Sequence, residues 1–315
     1  MKYQPLTYKN LNRYSISKRK SKVSINDFFK SDNDDFFSCL PNILASKDLK
    51  DIISFCVNAK NNGKKIIVAT GAHFIKVGLS PLFKQLFENK IIDHIAMNGA
   101  CIIHDVEIAM NGETSEDVGD SLKNGNFGMS EETGKLINLA ILNGFKKRVG
   151  LGEAIGEWLN NSDFKYKEYS VIFNAYKNNI PITIHVAIGT DIIHMHPECN
   201  GAAIGEMSLL DFKIFCNSIK DLSEGAYFNI GSAVIMPEVF LKAVTLIRNL
   251  GYKLENFITV NMDFIKHYRP SENVVKRPTI DSGKGFTLIG HHEIMLPLLF
   301  GEILKRLKSS RFNIS

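Results

Sequence analysis

Within the six residues His194 to Cys199, HMHPEC, lie four side chains able to ligate a metal or move a proton. His194 and His196 are two apart, so in an extended segment both rings face one side, and Glu198 continues the spacing. Three chemistries fit: metal binding by His194, His196 and Glu198; acid–base or hydrogen-bonding work on a substrate; and ordinary structural histidines. No metal is the favoured reading. GHHE (290–293) opens a helical pattern, where the dipole at a helix N-terminus biases His291 and His292 toward neutral imidazole, suited to a base, a ligand or a cap, with Glu293 beside them. NGACIIHDVE (98–107) offers His104 with Asp105 and Glu107, and an aspartate near a histidine can orient its ring for proton transfer. Cys101, without a local activating group, reads as a small buried thiol. Lys276 could form an imine if desolvated, although Arg277 adjoins it. His73 follows a strand tip and is placed to touch a ligand, whereas His94, His185 and His267 read as structural.

The elements that must position these residues follow a βαβ rhythm. LKDIISFCVNAKNNG carries apolar residues at helical spacing and ends at Gly63 as a helix C-cap. KKIIVAT is a strand, SPLFKQLFEN a helix with Pro81 in its first turn, and IIDHIAMNGA a strand closing on a glycine turn. An excursion follows, with an amphipathic helix from about Glu131 and Ser130 or Thr133 as caps. Strand and helix then alternate through IPITIHVAIG, SLLDFKIFCNSIKDL, GAYFNIG, PEVFLKAVTLIRNLG, NFITVNM, GFTLIG and a last helix from His292. Six strands imply an α/β fold: a doubly wound, mostly parallel sheet with helices on both faces. Residues 41–315 are expected to form one domain behind a basic arm, 1–40.

Ligands in such sheets bind outside the carboxyl ends of the strands. Glycine stands in five of the six tips, and helix N-termini follow them, which suits a nucleotide phosphate. GxGxxG is absent, so an ordinary first-turn pyrophosphate site is not expected.

The chain has 315 residues, 44% hydrophobic and 23% charged, with a formal net charge of +5. Lys9, Arg13, Lys18, Arg19, Lys20 and Lys22 concentrate positive charge in the arm, which is expected to be solvated or to clasp a subunit rather than bind nucleic acid. No apolar run reaches the ~18 residues of a membrane span, and five scattered cysteines without CxxC suit a reduced, cytoplasmic protein.

From about residue 40 onward the chain resembles the deoxyhypusine synthase family, homospermidine synthases included. The resemblance rests on the order of ATGAHFIKVGLSPLFKQLFENKIIDHIAMNGACIIHDVEI, IPITIHVAIGTD, YFNIGSAVIMPEVFLKAV, YRPSENVV and FTLIGHHEIMLPLLFGEIL. It implies NAD as cofactor, a small-molecule amine as substrate, aminobutyl transfer through an imine, and a homotetramer with shared sites. Carried over, Gly71, Asn98, Gly99, Ala100, Gly231 and Ser232 match the NAD-contacting turns, Asp263 the acid that holds a ribose, and Glu272 a carboxylate that binds the polyamine. The family's catalytic lysine lies six residues after that glutamate, where this chain has Pro278, leaving Lys276 as the nearest candidate besides Lys284. Ile103 and His104 replace paired glutamates, and Gly189 and His194 replace further acids. Each charge lost at ~4 Å removes about 4 kcal/mol of attraction for an ammonium at an effective dielectric near 20, so the substrate is expected to differ from spermidine. His104, His194 and His292 with Lys276 are the expected catalytic set, and Glu272, His196, Glu198 and Glu293 the expected amine-binding set. The alternatives are the same scaffold working as a metal-assisted hydrolase through its His/Glu cluster, or as a non-catalytic NAD or small-molecule binder.

Overall fold

The computed structural model describes residues 3–30 and 35–312, so positions 1, 2 and 31–34 of the expected arm lie outside the described residues. The chain divides into two compact units, the first ending at Lys50 and the second beginning at Asp51. In the first unit, 3-10 turns at Ile16–Lys18 and Ile25–Asp27 are capped by Ser15 and Ser24, and Tyr3, Tyr8 and Tyr14 are exposed.

The elements are α1 (Leu44–Asn61), β1 (Ile66–Thr70), α2 (Ser80–Glu88), β2 (His94–Asn98), α3 (Gly99–Asn111), α4 (Glu131–Lys147), α5 (Leu151–Asn161), α6 (Val171–Lys177), β3 (Ile182–His185), α7 (Gly201–Lys220), β4 (Ala226–Ile230), α8 (Ile235–Asn249), β5 (Ile258–Asp263), β6 (Lys284–Ile289) and α9 (His292–Phe312). All neighbouring strands are parallel, in the order β3-β2-β1-β4-β5-β6. This is the doubly wound arrangement expected, with its switch point between the tips of β1 and β4.

A parallel sheet covered on both faces needs strands apolar on both sides, and Ile66–Thr70 is buried throughout. β4 shows the two layers at once: Tyr227 stacks on Phe240 of α8 with ring centroids 3.6 Å apart, while Phe228 meets Phe300 of α9 at 5.1 Å. Cys56, Cys101 and Cys216 are buried and Cys199 is partly buried, all four as free thiols, and Cys39 is buried too. No helix among the described residues is long and apolar enough to cross a membrane.

Three helices depart from the sequence reading. NGAC does not turn after β2 but starts α3 directly, because Gly99, lacking a Cβ, lets the helix begin against Asp191; a Cβ there would lie 2.0 Å from Asp191 Oδ2. The excursion holds α5 and α6 in addition to α4. Ser130 is the N-cap residue of α4, whereas Thr133 turns its hydroxyl to Glu107.

Candidate active site

At the switch point the tips of β1 and β4 pack backbone to backbone. Gly71 N–H donates to the Ile230 carbonyl at 2.9 Å, and a Cβ on Gly71 would lie 2.4 Å from the Gly231 carbonyl oxygen. Gly231 has φ +60, and a Cβ there would meet His292 Cε1 at 2.6 Å. Both glycines are therefore demanded by close approach of the tips, which sets Gly231 in a left-handed turn at the entry to α8. Ser232 Oγ accepts from Met236 N–H at 3.2 Å in the first turn of that helix.

Polar atoms without partners collect at the same edge. Asn229 and Asn261, paired in register on β4 and β5, are fully buried and share one hydrogen bond of 2.7 Å, leaving Asn229 Oδ1 and Asn261 Nδ2 unpaired. His292 donates from Nε2 to the Met262 carbonyl at 3.3 Å, which leaves Nδ1 as an unpaired, buried acceptor. Burial, with His73 nearby, outweighs Asp263 and the Met262 carbonyl and holds the His292 pKa below its ordinary value, which favours the neutral ring. His73, Phe264 and His291 form a rim, with His73 5.6 Å from His292 and His291 stacked 6.5 Å from Phe264. Asp263 closes β5, buried, with Oδ1 on Phe264 N–H at 2.8 Å and Oδ2 only 3.8 Å from His267 Nε2. Orphaned buried atoms and an acid at the next strand tip are groups that could hold the polar ends of a dinucleotide.

A second constellation surrounds the exposed face of α3. His104 and Glu107, one helical turn apart, share that face, and the left-handed Gly112 (φ +79) reverses the chain so that Thr114 bridges them. Thr114 Oγ1 lies 2.7 Å from His104 Nδ1 and 2.5 Å from Glu107 Oε2. Lys76, Ala100, Ile103, His104, Glu107, Glu116 and Asp191 help to line a cavity of about 240 Å³. It adjoins one of about 590 Å³ that carries Glu107, Glu113, Glu116 and Glu132. Burial raises the Asp191 pKa to about 6 and lowers that of His104.

Asp105, expected to orient His104, faces the core instead. It accepts from Val171 N–H at 2.7 Å and Ile172 N–H at 3.0 Å, and from the Ser170 hydroxyl, capping α6; desolvation raises its pKa to about 6. Glu107, reached through Thr114, is the carboxylate hydrogen-bonded toward His104.

The HMHPE segment is not extended: Ile192–Met195 forms a 3-10 turn, which sends the two rings apart. His194 Nδ1 accepts from Gly189 N–H at 3.1 Å and Asp191 N–H at 3.3 Å, leaving Nε2 buried without a partner. His196 Nε2 donates to the Gly128 carbonyl at 2.9 Å, and its ring fills the space above Gly134 of α4. Among the described residues no three His, Cys, Asp or Glu side chains gather as metal ligands, so His194, His196 and Glu198 do not form the alternative metal site.

Lys276 also stands apart. It pairs with Glu272 at 2.5 Å on the π-helical turn Ser271–Lys276, and its side chain is 67% exposed. Val275 beside it packs on Gly285 near the start of β6, and Arg248 at the far end of α8 binds the Pro278 carbonyl, so this stretch descends away from the strand tips. Glu293 is half-exposed and 4.0 Å from His291. His94 and His185 share Thr183 in the core, both with pKa values driven down to about 3 by burial.

Sequence reasoning missed Lys76, Glu113, Thr114, Glu116, Glu132 and Asp191. The signal that could have found three of them is the hydrophilic stretch GETSE (112–116) directly after a helix carrying His104 and Glu107 one turn apart.

No protein-family model matches the chain, and no curated protein matches it by sequence. Solved structures match by shape. ArgZ, an arginine dihydrolase from the ornithine–ammonia cycle in cyanobacteria, aligns at TM-score 0.51 and 16% identity over 84% of this chain and 33% of its own. AgrE in its ternary complex with ornithine and NAD+ aligns at TM-score 0.51 and 15% identity, over 84% of this chain and 34% of its own. A protein from Entamoeba histolytica provisionally described as a deoxyhypusine synthase aligns at TM-score 0.50 and 16% identity, over 82% of this chain and 87% of its own. The chain thus spans about a third of the length of the ArgZ and AgrE chains. What these likenesses establish is a shared Rossmann-like fold, the one built here around the β1 and β4 tips.

Proposed function

We propose that the protein is an NAD-dependent enzyme acting on a small amine. The observation that carries this is the β4–α8–β5 unit: a left-handed Gly231-Ser232 turn into a helix, then a buried acid, Asp263, at the next strand tip. That is the order in which a Rossmann half holds phosphate and then ribose. A bound NAD supplies a hydride acceptor; the chain's own part is to hold it through Gly231, Asp263 and the unpaired atoms of Asn229, Asn261 and His292. The amine follows from the neighbouring cavities, whose Glu107, Glu113, Glu116 and Glu132 replace the negative charge lost at positions 103 and 104. The AgrE fold match, solved with ornithine and NAD+, agrees with this pairing.

Alkyl transfer through an imine is the narrower form of this reading. It would draw on Lys76, which lines the 240 Å³ cavity, rather than on Lys276, which is ion-paired with Glu272. Assembly into a homotetramer with shared sites is part of the same proposal.

Calorimetric titration with NAD tests the reading. The parent protein is expected to bind NAD, and Asp263→Ala to bind it at least about tenfold more weakly through loss of the charge-assisted ribose contact. A parent that binds no NAD, or an Asp263→Ala variant with unchanged affinity, overturns it.

A further inference from the structure

The Glu107–Thr114–His104 chain fixes where the protons sit. A threonine hydroxyl has one proton to give, and an ionised carboxylate can only accept. Thr114 therefore donates to Glu107 Oε2 across 2.5 Å and must accept from His104 Nδ1 across 2.7 Å. Thr133, 3.1 Å from Glu107 Oε1, supports the second carboxylate oxygen. With its proton held at Nδ1, neutral His104 keeps its lone pair on Nε2, the nitrogen that no hydrogen bond among the described residues engages.

We propose that Glu107 and Thr114 are positioning residues that lock His104 as a neutral acceptor, with Nε2 taking an N–H of the substrate's ammonium group in the 240 Å³ cavity. The assignment of an ammonium rests on the amine reading above; the tautomer lock does not. A cationic ligand needs acceptors that are not themselves cations, and an imidazolium at this position would repel it. The charged and titratable groups around the ring are Lys76 from the turn after β1, Glu107 on α3 itself, Glu116 from the following loop, and Asp191 from the loop after β3. Burial and Lys76 both oppose protonation of His104, and Glu107 favours it. The relay accordingly does separate work: it leaves the ring neutral but decides which nitrogen faces the ligand.

Long-range proton–nitrogen NMR of protein labelled with nitrogen-15 histidine reads the tautomer directly, with His104 assigned by loss of its signals in His104→Gln. The ligand-free parent is expected to show His104 protonated at Nδ1 and bare at Nε2. Thr114→Val is expected to lose this single state for a mixture of tautomers, and Thr114→Ser, which keeps the hydroxyl, to restore it. Adding 1,4-diaminobutane is expected to lower the pH midpoint of His104 in the parent, because an ammonium bound at Nε2 favours the neutral ring, and to have at least a threefold weaker effect in Thr114→Val. A parent protonated at Nε2, or a Thr114→Val spectrum like the parent's, overturns the lock whatever NAD does. A locked ring indifferent to the diamine overturns the acceptor role. Failure to bind NAD in the separate titration overturns the proposed function and leaves the lock standing.

Discussion

Around β1–β3 the buried carboxylates are occupied by the chain itself: Asp105 holds the first turn of α6, and Asp211 takes Gly152 N–H at 3.0 Å and Ile184 N–H at 2.7 Å, tying α5 to the edge strand β3. Around β4–β6 the buried polar atoms at the strand tips have no such occupation, and Asn229 Oδ1, Asn261 Nδ2 and His292 Nδ1 face no partner. A buried polar atom is costly unless hydrogen-bonded, so carboxylates spent on backbone N–H groups serve stability, although Asp211 Oδ1, Asn138 Oδ1 and His194 Nε2 lack partners in that half too. The group at the β4–β6 tips, Asn229 Oδ1, Asn261 Nδ2 and His292 Nδ1, is the one that the proposed cofactor would complete. His104 and Glu107 lie between these cases, because their relay satisfies one nitrogen and deliberately frees the other.

The contrast breaks most severely at Asp211. Asp211→Ala leaves two backbone N–H groups without an acceptor inside the first half, and is expected to cost roughly 2–5 kcal/mol, read as a lower urea midpoint. Asp211→Asn separates charge from hydrogen bonding, since both donors bind Oδ2 and an amide oxygen can replace it. Desolvation raises the Asp211 pKa from 3.8 to about 7, so the native state binds the proton more tightly than the unfolded chain. That contribution is complete below the unfolded pKa and is lost as pH rises toward 7. The parent's stability relative to Asp211→Asn should therefore fall by up to roughly 4 kcal/mol between pH 4 and pH 8, in paired urea titrations. A flat difference would mean that the carboxylate ionises freely in the core and that the first half is not closed in this way.

Asp211 also shows what sequence could and could not convey. Strands were legible because a sheet buried on both faces writes its inner strands as apolar runs, and all six strands, the half-exposed edge strand β6 included, stand where they are expected in a parallel doubly wound arrangement. Asp211 is the fourth residue of SLLDFKIFCNSIKDL, where helical periodicity predicts the helix but says nothing of a carboxylate reaching across to β3. The same limit governs Asp105 and Glu107. Sequence proximity pairs Asp105 with His104, but adjacent residues point about 100° apart on a helix, whereas a residue three positions on shares the face. Thr114 joins them only because Gly112 turns the chain back, a tertiary event with no local spacing rule. In HMHPE the error was one of conformation: the two-residue spacing aligns rings in a strand, not in a 3-10 turn.

The second half is tested at Gly231. Alanine there must adopt a φ of +60 and place its Cβ 2.6 Å from His292 Cε1. Strain and the displaced ring together are expected to lower stability by about 1–3 kcal/mol, and NAD affinity should fall well beyond what that loss of folded protein explains. Equal losses in stability and binding would make the turn a packing device only, like Gly99 against Asp191, and the asymmetry between the halves would disappear.

The smallest effect is expected at Lys276, and its smallness is informative. The ammonium is exposed, its Glu272 partner lies one turn away on the same surface, and side-chain entropy and solvent screening cancel most of such a pair. Lys276→Ala should leave the urea midpoint, the NAD affinity and the His104 tautomer unchanged within measurement scatter. Borohydride treatment with a carbonyl probe, 4-aminobutanal, should trap as much adduct on Lys276→Ala as on the parent. Trapping that vanishes with Lys276 would move the reactive centre to the segment between β5 and β6. It would require that stretch, which here descends toward the amino end of β6, to rise to the strand tips during turnover.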